Sequence, residues 1–276
     1  MRHIQDTHTH TQRYRLRGFA TCLALLLVAA AVSAAQTASA LRKDEFKLTV
    51  TALDAATAFR MLGLELSYAE QEIVYYFDTR DRVLQAHHLT LRARQPGGHS
   101  ADSTVKLRAS AGTLELNTEE RALPVEQDWT NERGPSAARS INHKKIENSV
   151  FDKVVTGLLP VKELFTDSQR HLVATRVPGV TWESLEPIGP VQADVWSRQA
   201  QLAGFAHPVT VELWNLRQGE REQQILEVSA KVRVNTESEA QQLAKQFFAA
   251  TRSAGLGEPN GLSKTTQVMD FFTSER

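Results

Sequence analysis

Four cations sit on two short alternating stretches. In Leu89-Thr90-Leu91-Arg92-Ala93-Arg94, Leu89, Leu91 and Ala93 share one parity and Arg92 and Arg94 the other. In Thr104-Val105-Lys106-Leu107-Arg108, Val105 and Leu107 alternate with Lys106 and Arg108. Side chains alternate faces along a strand, so each stretch has an apolar and a cationic face. The turn-rich loop Gln95 to Ser103 joins them as a hairpin. Cations gathered on one face with no acid among them repel unless an anion sits between them. Two readings follow: the solvated outer face of an ordinary antiparallel sheet, or a site for a polyanion.

Carboxylates recur at the same period. Lys43, Glu45, Lys47 and Thr49 alternate with Phe46, Leu48 and Val50. Glu227, Ser229, Lys231 and Arg233 alternate with Leu226, Val228, Ala230 and Val232. Thr113 to Arg121 is read as a further strand, with Glu115 opposite in sense to Leu114 and Leu116. Cations on successive strands with acids on the first, middle and last suit a cavity for a phosphate chain. The cations would neutralise phosphate oxygens, and the carboxylates would offer hard oxygen ligands to Mg²⁺ or Mn²⁺.

The remaining elements must position these groups. Ile73 to Thr79, Gln169 to Val173, Val191 to Gln201, Val209 to Leu216 and Gln224 to Val232 read as strands. Asp54 can cap a helix with the face Ala55, Ala58, Phe59 and Leu62, stopped by Gly63. Val150 to Phe165 is helix-like and broken by Pro160. Thr236-Glu237-Ser238-Glu239 is a capping box for a helix to about Ser253, with the stripe Ala240, Leu243, Ala244, Phe247 and Phe248. Pro124 to Lys145 is polar, carries Gly134-Pro135, and reads as a long surface connection. Lys264 opens a short tail with Val268, Met269, Phe271 and Phe272. Single-striped helices would cover the apolar strand faces, leaving the charged faces to meet in a closed or nearly closed barrel.

Residues 1–40 read as a leader rather than as fold. Arg13, Arg15 and Arg17 precede an apolar run from Phe19 to Val32, and Val32-Ser33-Ala34 and Ala38-Ser39-Ala40 fit small-x-small cleavage sites. The run is short for a membrane span of about 20 residues. The expectation is a signal peptide cleaved after about residue 34 or 40, a single domain over 41–276, and a periplasmic or secreted protein with no stable membrane anchor. The only cysteine, Cys22, lies in the leader, so the mature chain has no thiol nucleophile, thiolate metal site or disulfide. Removing the leader takes away four arginines and one aspartate, and the zero formal charge of the full chain becomes −3. That gives no global attraction to nucleic acid, and any anion site must be a local concentration of cations. Trp182, Trp196 and Trp214 read as packing residues, and adjacent His87 and His88 as rim residues. A Gly-rich phosphate loop, HExxH and GxSxG are all absent.

Taken in order, Glu45-x-Lys47-Leu48, Tyr76-x-Asp78-Thr79, Leu91-Arg92-x-Arg94, Thr104-Val105-Lys106-Leu107, Leu226-Glu227-Val228-Ser229 and Lys264-Thr265 resemble the CYTH domain, the triphosphate tunnel metalloenzyme superfamily. The resemblance covers roughly Lys43 to Phe272. It implies an α+β fold: an antiparallel eight-stranded β-barrel with a charged tunnel inside and helices packed outside. It also implies binding or metal-dependent hydrolysis of triphosphate or polyphosphate, with Mg²⁺ or Mn²⁺ as cofactor. The family includes inorganic, thiamine and RNA triphosphatases and a class of adenylyl cyclase. Carried over residue by residue, Glu45, Lys47, Arg92, Arg94 and Lys106 are the catalytic candidates. Lys47, Arg92, Arg94, Lys106, Arg108, Arg170 and Lys264 would grip substrate. Glu45, Glu227 and a mid-barrel acid, Glu115 or Glu119, would hold metal. Two positions depart from the pattern: Lys43 stands where the family has the first Glu of its opening motif, and Ser229 where it has the second acid of the late pair. Both departures weaken the metal-holding half and leave a non-catalytic polyanion binder as the alternative.

Overall fold

The computed structural model describes residues 42–51, 55–63, 69–109, 115–259 and 261–274. The leader, Asp54 and residues 113–114 lie outside the described residues. Nine strands form one closed barrel: β1 (Arg42–Val50), β2 (Glu70–Asp78), β3 (Leu89–Pro96), β4 (Ala101–Ala109), β5 (Val125–Trp129), β6 (Ser136–Ile146), β7 (Glu186–Ala200), β8 (Val209–Gln218) and β9 (Arg221–Val234). Around the wall they run β1-β5-β6-β4-β3-β2-β7-β8-β9, and β9 closes onto β1. The barrel is mixed rather than antiparallel, because β5 pairs parallel with β1, Lys43 opposite Glu126 and Glu45 opposite Asp128. Nine strands replace the expected eight, and β5 with nearly all of β6 occupies the stretch Pro124 to Lys145 that reads as a surface connection.

The cationic hairpin forms as its alternation requires. Thr90 faces Lys106, Arg92 faces Thr104 and Arg94 faces Asp102 across β3 and β4. The strands run further than the sequence suggested, so Asp102 belongs to β4 rather than to the loop and shares a face with the cations. The opposite face, Leu89, Leu91, Ala93, Val105 and Leu107, is buried. It packs under α4 (Asn148–Val155), a 3₁₀ turn (Val161–Leu164) and α5 (Asp167–Arg176). On the other side, the outer faces of β1, β8 and β9 pack with α1 (Ala55–Leu62) and α6 (Glu237–Ser253), whose Phe247 lies 6.0 Å from Phe46. Burial of these stripes is the main favourable term holding helices to barrel. With the apolar faces outside and covered, the charged faces turn inward together.

Two expected strands are absent. Thr166 Oγ1 accepts a bond from the amide of Gln169, whose side-chain oxygen accepts one from the Thr166 amide, and this capping box starts α5 in place of the strand expected over Gln169 to Val173. Residues 115–117 are irregular and lead into α3 (Thr118–Ala122), capped by Asn117, where the Glu115 strand was expected.

The tail after residue 261 forms a helix, α7 (Lys264–Thr273), capped by the Ser263 side chain. Its Val268, Met269, Phe271 and Phe272 cluster with Val74, Tyr76, Trp214 and Ile225. Those four share their strands' inner face with Glu72, Glu212 and Glu227 by alternation. Helix α7 therefore stoppers one end of the barrel, instead of packing outside it like α4, α5 and α6. Arg82, in left-handed backbone (φ 57°) at the start of the short helix α2 (Val83–Ala86), anchors α7 through Asp270 at 2.5 Å and the Met269 carbonyl at 3.1 Å.

Candidate functional site

Three groups of charge line the barrel. The first joins β1, β4, β5 and β9. Lys47 Nζ lies 2.7 Å from Glu45 and 3.4 Å from Asp128. Lys106 Nζ lies 3.0 Å from Asp128 and 3.4 Å from Glu126. Arg108 Nε is 3.8 Å from Asp128, and Arg108 also donates to Thr90 Oγ1 at 3.2 Å. Lys43 Nζ reaches Glu126 at 3.3 Å, and Lys231 Nζ reaches Glu45 at 3.3 Å. Lys43 and Lys231 are 53% and 52% exposed, whereas Lys47 and Lys106 are 14% exposed. The group thus runs from a solvated rim inward.

Its electrostatics follow from burial and neighbours. Burial works against the Lys47 ammonium, but Glu45, Asp128 and Glu227 outweigh it and raise its pKa above the ordinary lysine value. Burial is also the largest influence on Lys106, and the cations of Lys47 and Arg108 act with it. Asp128 and Glu126 compensate in part, leaving Lys106 pushed down to about 8. Burial alone would raise the Asp128 carboxyl; Lys47, Lys106 and Arg108 override it and bring it down to about 2.

The second group lies where α7 enters. Lys264, the first residue of that helix, ion-pairs with Glu212, and its Nζ is 3.0 Å from Glu227 and 4.1 Å from the centroid of the Trp214 ring. Glu212 also accepts a bond from Trp214 Nε1 at 2.8 Å. Burial opposes ionisation of Glu212, but Lys264 and the Trp214 donor hold its carboxyl below the usual range. The third group is Arg94, clamped between Glu72 at 3.0 Å and Asp102 at 2.9 Å.

Arg92 stands apart. It is half-buried on the inner face of β3, opposite Tyr76 and Thr104. Among the described residues its side chain has no hydrogen bond and no carboxylate within ion-pair distance, while the other tunnel cations named here are all paired. Its charge still helps depress Glu212 from a distance.

The structure brings together Glu45, Lys47, Lys106 and Arg108, places Arg92 and Arg94 on the same inner surface, and sets Glu227 with Lys264. Three candidates fall outside the barrel. Arg170 lies on α5, where its guanidinium bonds the Lys162 and Phe165 carbonyls and Asp167; the strand assumed for it is a helix. Glu115 is exposed, and its carbonyl accepts a bond from Arg176 at 3.0 Å. The alternative, Glu119, is also exposed and pairs with His171 at 2.9 Å. The mid-barrel acids are instead Glu126 and Asp128, with Glu72, Asp102 and Glu212 further round the wall. The Glu126-Gln127-Asp128 spacing was the available signal: two carboxylates two residues apart share a strand face.

Glu45, Glu126 and Asp128 can each offer one oxygen, all within 4.8 Å of one another. Three carboxylate oxygens at that spacing fit a hard divalent cation such as Mg²⁺ or Mn²⁺. Glu227 is not part of this trio. Asp44, beside Lys43, faces away from it: buried at 0% exposure, it accepts a bond from Trp129 Nε1 at 2.7 Å and pairs with Arg42. Ser229 sits buried on the inner face opposite Lys47.

The closed barrel is a fold shared with solved adenylyl cyclase-like and triphosphatase structures, and this likeness supports the CYTH, or triphosphate tunnel, fold. Two solved structures match over 82% of this chain with a TM-score of 0.50. One is the Hippeastrum protein HpAC1, named for adenylyl cyclase and described with a dominant triphosphatase activity, matched over 95% of its length at 13% identity. The other, from Bacillus halodurans and provisionally assigned as an adenylate cyclase, is matched over 97% of its length at 12% identity. No family model and no curated protein sequence matches this chain.

Proposed function

We propose that the barrel binds the linear phosphate chain of a triphosphate or polyphosphate, and that it hydrolyses the terminal phosphoanhydride with the help of a divalent metal. The observation that carries this reading is Arg92: a half-buried guanidinium without a carboxylate partner, facing a closed space lined by Lys47, Lys106, Arg108 and Arg94. A partly buried guanidinium that feels Glu72 and Glu212 only from a distance keeps its donors free for an anion that enters the barrel.

In this reading Arg92 makes the first charge-assisted contact with phosphate oxygens. Lys106 and Lys47 exchange their carboxylate partners for phosphate and spread the charge that develops as the terminal phosphoryl group departs. Their release frees Glu45, Glu126 and Asp128, which would hold Mg²⁺ or Mn²⁺. When bound there, the metal would neutralise phosphate oxygens and polarise the attacking water. Lys43 and Lys231 guide the anion at the solvated rim. With residues 1–40 read as an export leader, the substrate would be met outside the cytoplasm, where a polyphosphate or scavenged organic triphosphate is a better match than a cytosolic nucleotide. The adenylyl cyclase reaction has no adenine-recognising feature among the described residues to support it.

A second reading, a binder without turnover, is favoured by one observation: each carboxylate of the trio is already paired with a lysine. The discriminating measurement is phosphate release from tripolyphosphate by the mature protein, with Mg²⁺, with Mn²⁺ and with EDTA. Release that needs metal and disappears in both Arg92→Ala and Asp128→Asn supports the hydrolase. Binding that survives EDTA, without release, supports the binder. Absence of both binding and release sinks the tunnel reading.

A further inference from the structure

The resemblance read from the sequence places a metal ligand at Glu227, but the structure fills that position with a lysine. Glu212 and Glu227 stand directly opposite each other on β8 and β9, both on the inner face. Their carboxylates converge on one atom, Lys264 Nζ, which ion-pairs with Glu212 and lies 3.0 Å from Glu227 Oε1. Glu227 Oε2 accepts a bond from Thr49 Oγ1 at 3.4 Å, and Glu212 accepts one from Trp214 Nε1 at 2.8 Å. The ammonium also lies over the Trp214 ring, 4.1 Å from its centroid. Ser229, next along the same face of β9, brings a hydroxyl and not a further carboxylate, so the local oxygen set is poor for a hard divalent ion.

Lys264 is held there by more than its charge. It opens α7, whose first turn is capped by Ser263 and whose Val268, Met269, Phe271 and Phe272 are buried in the end of the barrel. Arg221 secures the far end of the helix through the Ser274 carbonyl at 2.9 Å and the face of Phe271, and Arg82 secures its middle. The Lys264 side chain is 12% exposed, whereas Lys43 and Lys231, which pair with Glu126 and Glu45 of the trio, are 53% and 52% exposed at the rim. A divalent ion arriving at the trio displaces lysines that can turn to water. At Glu212 and Glu227 it would have to expel a buried cation tethered to a packed helix, or share its place against strong repulsion. Burial works against the Lys264 ammonium, but Glu212 and Glu227 outweigh it and raise its pKa, so the cation persists at neutral pH.

We infer that Lys264 is a built-in cation standing in for a metal at Glu212 and Glu227, so that the barrel holds one divalent ion, at Glu45, Glu126 and Asp128, and none at the late acids. The inference rests on the metal-binding half of the proposed function and departs from the resemblance at one point: Glu227 is a partner for Lys264 and not a metal ligand. Lys264 is a positioning residue in this scheme. It neutralises two inward carboxylates that would repel a phosphate chain, and it ties that neutralisation to the helix that bars the barrel.

The test counts Mn²⁺ ions on the whole mature protein, without substrate, by loss of the free-ion EPR signal and by calorimetry. Wild type should bind one ion. Asp128→Asn should weaken it by roughly tenfold or more, as loss of a metal-site group does, and Glu227→Gln should leave its affinity within about twofold, below the cost of losing even an outer partner. Lys264→Met keeps an apolar stem against Trp214 and removes the charge; it should bind a second Mn²⁺, and adding Glu227→Gln to it should abolish that second ion. Lys264→Arg should keep the count at one. Two ions on the wild type with one lost in Glu227→Gln, a single ion weakened about tenfold by Glu227→Gln, or an unchanged count in folded Lys264→Met would each overturn the assignment. Should Lys264→Met fail to fold, Glu227→Gln decides the matter, since it leaves the lysine in place. A wild type that binds no Mn²⁺ would refute the trio as a metal site; Lys264→Met then judges this inference separately, one ion supporting it and none overturning it.

Discussion

At the scale of single residues, the two arginines of β3 separate affinity from stability. Arg92 has no ion pair to lose, so Arg92→Ala should leave the melting temperature of the empty protein within a degree or two. It should weaken tripolyphosphate roughly tenfold to a hundredfold, since hydrogen bonds to charged groups contribute about 1.5–3 kcal/mol. Arg94→Ala strips the partner from Glu72 and Asp102. It should lower stability by about 1–3 kcal/mol in denaturant unfolding, because a partly buried carboxylate pair is left facing itself. If the two variants behave alike in both measurements, the distinction between a free and a clamped guanidinium is wrong. Lys106 adds a pH signature. In the empty barrel it is pushed down to about 8, so below that pH it is a cation and above it largely neutral. A phosphate chain favours the charged form and draws the proton on. Tripolyphosphate affinity should therefore fall as pH rises through about 8, with proton uptake on binding at pH 8 to 9 seen by calorimetry in buffers of different ionisation heat. Affinity flat from pH 7 to 9.5 would remove Lys106 from the site.

At the scale of elements, β5 carries Glu126 and Asp128 of the carboxylate trio and is the least legible part of the chain. Period two was easy to read where one face is apolar and covered, as in β1, β3, β4 and β9, so the inward set Glu45, Lys47, Arg92, Arg94, Lys106 and Glu227 could be read from the residues. Strands β5 and β6 lack that contrast. Val125 is exposed while Glu126 and Gln127 are half-buried, and β6 carries Ser136, Arg139, Asn142 and Lys144 with only Ala138 and Ile146 buried. A strand polar on both faces, flanked by Pro124 and Gly134-Pro135, has the composition of a loop. What holds it is pairing on both sides and Trp129, fully buried against Phe46 and bonded to Asp44. These are long-range contacts that no local pattern encodes. The misplaced Arg170 has the opposite cause: the Thr166–Gln169 capping box was present and outweighed the short aliphatic run. Asp128 tests the role of β5. Its carboxyl, normally near 3.8, is held at about 2. The stability this represents is fully present above pH 3.8 and lost as pH falls through about 2; it amounts to roughly 2 kcal/mol. Asp128→Asn should therefore destabilise the empty protein by about that amount at pH 7. In EDTA the same change should tighten tripolyphosphate, because it removes a carboxylate that repels phosphate and competes for Lys47 and Lys106. Opposite signs for stability and affinity are the expected pair; a loss of both would make Asp128 a purely structural brace.

At the scale of the whole molecule, the barrel is a closed ring of strands holding an interior of opposed charges, and α7 bars one end. Among the described residues Lys43, Lys47, Arg94, Lys106, Arg108, Lys231 and Lys264 each borrow a carboxylate, so in the proposed function ligand binding would be an exchange of partners rather than the filling of a void. Exchange makes the response to ligand dependent on salt in a particular way. Buried ion pairs are poorly screened, whereas a multivalent anion in free solution is strongly screened, with a Debye length of about 10 Å at 0.1 M. Raising salt should hence weaken tripolyphosphate far more than it unfolds the empty barrel. At a ligand concentration of one hundred times Kd, mass action adds about 2.7 kcal/mol to the folded state. For a domain of this size each kcal/mol moves the melting temperature by about 2–4 °C. Tripolyphosphate at that excess in low salt and EDTA should thus raise Tm by roughly 5–10 °C, and the rise should shrink to a degree or two at 0.5 M salt while the ligand-free Tm stays nearly constant. Orthophosphate at equal charge concentration should give little of the effect, since it cannot reach Arg92 and the Lys106 group at once. A rise of the same size from orthophosphate would mean that the barrel responds to anions generally. The reading of an extended phosphate chain lying along the inner wall would then give way to one of a simple counterion sink.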